Sequence, residues 1–185
     1  MKPIIFLLPI IALTLGAILY VLSLKAATEK KVFKRFIFNV GIIAFVLNLV
    51  WELIQTPLYK DGSYSISHIT FCALGSVADS IMVLLLYLVL ALIFRNPFWV
   101  QHVKWQMITL VILTGGIGAI LSERRHISIG SWAYADSMPI IPFLNVGLSP
   151  VLQFMILPLS TYLLSLKMMR QKNKHINTSI IHHSI

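Results

Sequence analysis

Five apolar stretches, each near the length that crosses a bilayer as a helix, constrain this chain more than any motif does. At 1.5 Å per residue, a helix needs about 20 apolar residues to span the hydrocarbon core. The stretches cover residues 3–24, 36–56, 71–94, 105–121 and 140–166. Of the 185 residues, 58% are hydrophobic and 11% are charged, whereas a water-soluble domain carries roughly a quarter charged residues. So few polar side chains cannot cover a surface facing water. The expected fold is therefore all-α, an integral membrane bundle of five transmembrane helices over residues 1–166. The polar tail, 167–185, is too short for a core of its own and is read as disordered. The first stretch is read as a membrane helix, because its apolar core is long for a signal peptide and Lys25 stands where a cleavage site would be.

The distribution of positive charge sets an orientation. Lys25, Lys30, Lys31, Lys34 and Arg35 follow the first stretch, Arg95 and Lys104 follow the third, and Lys167, Arg170, Lys172 and Lys174 follow the fifth. The other side holds only Lys2, Lys60, Arg124 and Arg125. Positively charged loops stay in the cytoplasm, so the amino terminus is expected outside and the carboxyl tail in the cytoplasm of a bacterial inner membrane. The same clustering between apolar runs explains the net charge of +9 as a topology signal, and no nucleic-acid partner is expected.

Against this apolar background, two carboxyl groups are expensive. A charge inside a membrane helix costs on the order of 2.5–3.5 kcal/mol on insertion scales. Glu52 shares one helical face with Asn48 and Gln55, at i, i+4 and i+7. Asp79 closes a stripe of Cys72, Gly75 and Ser76 on the next helix, and small and polar residues of this kind mark helix contacts in lipid. Glu52 lies roughly 6 Å from the outer end of its helix and Asp79 roughly 12 Å deep. Both are expected to face the bundle interior in the outer half of the membrane.

Other polar residues fall on the same side. His68 follows the loop after the second stretch. Arg124, Arg125, His126, Trp132, Tyr134 and Asp136 follow the fourth, where Trp132 and Tyr134 suit the membrane interface and the arginines suit an anionic group. In the fifth stretch Asn145, Ser149 and Gln153 are spaced as one helical face. Ser149 and Pro150 read as a helix cap and first residue, which makes residues 140–148 a short interfacial or re-entrant piece, and Pro158 is expected to kink the helix. Together these residues predict an outward-facing polar pocket between the second, third and fifth helices, capped by the loop after the fourth.

Several chemistries are disfavoured. Glu123 and His126 have the Glu-x-x-His spacing of di-iron bundles, but two copies and two further glutamates are needed, so no metal is expected. The tail histidines His175, His182 and His183 carry no ligand spacing. Gly115, Gly116 and Gly118 have no strand before them and read as packing residues, so neither a phosphate loop nor another cofactor site is expected. A lone cysteine, Cys72, allows no intrachain disulfide, and no nucleophile has a paired base. No internal repeat of the transporter kind is visible. General acid/base chemistry by Glu52 and Asp79 fits best, since a dry cavity separates the behaviour of two carboxyl groups. The partner is then a membrane lipid or a lipid-soluble small molecule. A non-catalytic role in a homo-oligomer or a larger membrane complex is the alternative.

Trp51-Glu52 with Leu58-Tyr59, Ala78-Asp79, Gly130-x-Trp132-x-Tyr134, Met138-Pro139 and Gly147-Leu148-Ser149-Pro150 together resemble small polytopic proteins of bacterial inner membranes. That resemblance implies a membrane fold and brings no activity with it. Trp51-Glu52 and the Gly-x-Trp-x-Tyr stretch also resemble integral-membrane terpene and lycopene cyclases, which implies intramembrane carboxyl groups acting on polyenes. The paired glutamates of lycopene cyclases are missing from this sequence.

Overall fold

The computed structural model describes residues 7–182, with side-chain environments for residues 10–171. It is 78% helix. The helices are α1 (Leu7–Ala26), α2 (Lys30–Gln55), α3 (Ile66–Ile93), α4 (Trp105–Ser128) and α5 (Leu148–His182), with a two-stranded hairpin, β1 (Ile140–Ile141) and β2 (Val146–Gly147), before α5. Four of them contain segments long and apolar enough to cross a membrane: Lys30–Leu58, Ile66–Ile93, Trp105–Ser128 and Leu148–Gln171. The described apolar part of α1, Ile10–Ala26, is shorter, and the expected start of the first helix at residue 3 lies outside the described residues.

The exterior is as apolar as the interior. Along α2, Phe38, Ile42, Val46, Val50 and Ile54 recur every fourth residue and are all exposed, while Phe33, Phe36, Val40 and Ala44 on the other face are buried. In water such a stripe would demand a partner. Lipid covers it at no cost. Inside, α2 packs on both α3 and α5, α3 on α1, and α5 on α4. One end of the core is aromatic. Tyr87, Trp99 and Tyr162 have ring centres 5.1–5.7 Å apart, and the two phenols donate to the carbonyls of Pro97 and Val83, both at 2.7 Å. The other end, where α2 finishes and α3 and α5 begin, is polar.

Helix limits differ from the sequence expectation in ways that matter for the site. Helix α4 continues through Glu123, Arg124, Arg125 and His126, which were expected in a loop. Charged residues do not stop a helix; Gly130 does, at φ 72°, where the N–H groups of Gly130 and Ser131 return to the carbonyls of Ile127 and His126 in a glycine-closed helix end. Residues 140–147 form the hairpin, not a re-entrant helix. Pro139 and Pro142 lack N–H groups, and Phe143 (φ 66°) and Asn145 (φ 52°) turn the chain in the left-handed region. Helix α5 starts at Leu148, one residue before the expected cap at Ser149, and Pro150 in its first turn needs no N–H partner. At its far end the backbone stays helical to His182, past the expected limit at residue 166, because no Gly or Pro interrupts the tail.

Pro158 lies inside α5 and has no N–H, so the Phe154 carbonyl one turn earlier loses its helical donor. Gly115 of α4 lies directly on that carbonyl, and a Cβ at Gly115 would overlap the Phe154 oxygen. A Cα–H to carbonyl contact, worth up to about 1 kcal/mol, thus joins the two helices where only glycine fits. Gly118, by contrast, faces open space. We predict that Gly115→Ala destabilises the detergent-purified protein by about 1–3 kcal/mol through overpacking. Gly118→Ala should leave it unchanged or slightly stabilised. Equal thermal unfolding of the two variants would contradict this account of the α4–α5 contact.

Candidate functional site

The polar end is organised by Gln153, which sits on the second turn of α5 and is 1% exposed. Its Nε2 lies 2.9 Å from Asn48 Oδ1, 3.3 Å from Glu52 Oε1 and 3.3 Å from Asp79 Oδ2. Three acceptors on α2 and α3 therefore compete for the two hydrogens of one amide. Gln55 donates from Nε2 to Glu52 Oε1 at 3.0 Å and to Gln153 Oε1 at 3.3 Å, and its own Oε1 accepts from the Ser149 hydroxyl at 2.8 Å. Asn48 spends one of its two amide hydrogens on the Ala44 carbonyl one turn back. Asn48, Glu52 and Gln55 of α2 thus gather around Gln153, which joins them to Asp79.

A third carboxyl group belongs to the same region. Glu123, 7% exposed, accepts from the Trp132 indole at 3.2 Å and from the Tyr134 hydroxyl at 2.5 Å, both on Oε2. Glu52 and Asp79 stand side by side, each 3.3 Å from Gln153 Nε2, and Tyr134 holds Glu123 under the loop that meets the end of α2. Each is engaged through one oxygen only: Glu52 through Oε1, Asp79 through Oδ2 and Glu123 through Oε2. The other oxygen of each has no protein donor among the described residues. No Lys or Arg among those residues hydrogen-bonds to any of the three.

Two loops close over this region. Lys60 N–H donates to the Ala133 carbonyl at 3.0 Å and Ala135 N–H to the Leu58 carbonyl at 2.9 Å, an antiparallel bridge that sets Tyr59 beside Tyr134. Their rings are 5.6 Å apart, and Trp132 stands edge-on to Tyr59 at 6.4 Å. Local backbone makes this possible. A Cβ at Gly62 would overlap the Thr56 carbonyl oxygen in the tight turn after α2. At Gly147 a Cβ would reach within 3.0 Å of the Tyr134 ring, so the ring packs against bare backbone and its hydroxyl donates to Glu123. Burial first, and then the hydrogen bond to Glu123, hold the Tyr134 phenol above the ordinary tyrosine range. Burial, followed by the nearby Glu123 and Glu52 carboxyls, does the same to Tyr59. Both phenols are therefore neutral groups with a hydrogen to donate.

Of the residues expected at the site, Asn48, Glu52, Gln55, Asp79 and Gln153 come together, and Trp132 and Tyr134 reach it through Glu123. His126 is one step away, stacked on Trp132 at 4.3 Å with its Nδ1 3.2 Å from the Ser131 hydroxyl. The others are elsewhere. His68 sits in the first turn of α3, where its backbone N–H is capped by Ser65 and its ring faces Phe71. Arg124 and Arg125 are exposed on the last turns of α4, Asp136 is exposed in the following loop, and Asn145 is exposed in the hairpin turn. Asn145 cannot share a helical face with Ser149 and Gln153 because the helix begins after it. Sequence reasoning missed Glu123 and Tyr59 as members of the site, whereas Ser149, read on one face with Gln153, does reach it through Gln55. Glu123 had a signal: Gly115, Ala119 and Glu123 fall every fourth residue on the buried face of α4.

An apolar cavity of about 310 Å³ runs between Gly41 to Phe45 on α2 and Val77 to Leu84 on α3, outside the polar cluster. Among the described residues, no group of three or more His, Cys, Asp or Glu side chains is arranged to hold a metal ion. Comparison of the chain with protein-family models, curated proteins and solved structures finds no match.

Proposed function

We propose that this chain is a multi-pass protein of a bacterial inner membrane that performs acid/base chemistry on a lipid-soluble substrate, with Glu52 and Asp79 as the proton-transferring pair. The observation that carries this reading is the incomplete hydrogen bonding of the carboxyl groups. Glu52 and Asp79 draw on one shared amide, and among the described residues each keeps an oxygen without a donor and no Lys or Arg hydrogen-bonds to either. Both side chains are half-buried, and neither free oxygen is among the fully buried atoms that lack a partner, so those oxygens are open to an approaching molecule. A proton held on the cluster supplies the missing donor, and a group that holds such a proton is placed to give it to a substrate and take it back. Glu123, buffered by Trp132 and Tyr134, is a reservoir beside the pair, and the aromatic rings form the mouth. The resemblance to small polytopic inner-membrane proteins is part of the same proposal.

The cluster also ties α2, α3 and α5 together through Gln153, and that observation favours a second reading: a lipid-binding or assembly component of a homo-oligomer or larger membrane complex. Lipid extracts separate the two. A deletion strain, the strain restored with wild type and the strain restored with Glu52→Gln/Asp79→Asn are compared at equal protein levels. We expect a lipid-soluble species that accumulates in the deletion and is cleared by wild type alone. Identical extracts would move the assignment to the assembly role.

We further propose five spans, with the amino terminus outside and the carboxyl end in the cytoplasm, from the excess of Lys and Arg at the ends of α1, α2, α3 and α5. Cysteine-labelling reagents that do not cross membranes should modify Asp61→Cys, in a Cys72→Ser background, in intact cells. They should modify Arg170→Cys only after permeabilisation. The reverse pattern would overturn this orientation.

A further inference from the structure

The end of the bundle opposite the carboxyl cluster has the opposite charge. Lys25 closes α1, Lys30, Lys31 and Arg35 open α2, and Lys167 and Arg170 lie in the second half of α5. Of the six acidic residues in the chain, Glu29 alone belongs to this end, and its side chain does not cap α2. Lys31 and Arg35, one turn apart on α2, share a face. With Val32 and Met169 they line a cavity of about 140 Å³ between α2 and α5. The two basic side chains are exposed and the two apolar ones are partly buried, so the cavity has a cationic rim and an apolar floor. Like charges one helical turn apart repel, and an anion between them removes that repulsion.

We propose that this cavity binds the headgroup of an anionic phospholipid. The phosphate lies between Lys31 and Arg35, where the guanidinium offers a paired N–H fork to phosphate oxygens. The glycerol and first methylenes rest on Val32 and Met169. Basic recesses between membrane helices recognise anionic headgroups by this combination of charge and apolar contact. Free phosphate has the charge but nothing to place on the floor, and a zwitterionic lipid has the chains but no net charge. The site is independent of the proton chemistry at the other end of the bundle.

The test uses the full chain purified in a non-ionic detergent. Thermal unfolding and native mass spectrometry are followed on titration with phosphatidylglycerol, with phosphatidylcholine of the same chains, and with inorganic phosphate. We expect phosphatidylglycerol alone to be retained and to raise the melting temperature. Lys31→Gln/Arg35→Gln should weaken that binding by about tenfold or more. Lys25→Gln/Lys34→Gln, which removes the same charge outside the cavity, should change it by less than about threefold. Met169→Glu, with a carboxylate on the floor, should abolish retention, and it tests the site separately if the first double variant does not fold. Equal retention of the two lipids, the same stabilisation by inorganic phosphate, or equal losses in the two double variants would overturn the proposal.

Discussion

One side-chain amide carries the polar end of this structure. Gln153 on α5 faces Asn48 and Glu52 on α2 and Asp79 on α3, so a single buried residue decides how three helices meet. In lipid there is no hydrophobic drive between helices, because the tails are as apolar as leucine. Contacts that specify one arrangement must then come from close packing and from hydrogen bonds with no water to compete. An amide suits that position, since it both donates and accepts and has no charge to desolvate. It has two hydrogens for three acceptors, so this amide cannot satisfy all three at once.

The rest of the architecture serves to bring groups to this end. The glycine of α4 packed on the proline-freed carbonyl of α5 sets the height of α4, and so of Glu123. The bridge between Tyr59 and Tyr134 ties the loop after α2 to the loop after α4 and lays two neutral phenols and an indole over the carboxyl groups. Backbone without side chains at Gly62 and Gly147 lets both loops come close enough. The opposite end is built from aromatic rings and rimmed by cations. Lys60, Arg124 and Arg125 share the carboxyl end, yet among the described residues no Lys or Arg hydrogen-bonds to Glu52, Asp79 or Glu123.

Much of this was legible in the sequence, for an identifiable reason. Polar residues are so costly in an apolar helix that their spacing alone places Asn48, Glu52, Gln55, Asp79 and Gln153 on inward faces. The failures occur where that cost argument stops. Glu123 follows the apolar run of α4, so the charges at 123–126 read as a loop, although nothing before Gly130 could end the helix. Residues 140–147 are apolar whether they form a helix or a hairpin, and the positive φ angles at Phe143 and Asn145 belong to residue types that do not announce them. His68, Arg124, Arg125, Asp136 and Asn145 were grouped with the site by their side of the membrane, and a shared side does not bring side chains together. The pairing of Tyr59 with Tyr134 joins two loops 75 positions apart and has no local signature.

Gln153 bonds Asp79 across α5 and α3. A double-mutant cycle on the purified protein probes that bond, comparing Gln153→Leu, Asp79→Ala and the combination by reversible unfolding in mixed micelles. Contacting buried groups couple by about 0.5–3 kcal/mol, and we expect a coupling in that range, because removing Asp79 relieves part of the loss caused by removing its donor. Effects that simply add, to within about 0.3–0.5 kcal/mol, would mean that the two side chains do not share a bond, and the carboxyl cluster described here would not exist as a unit.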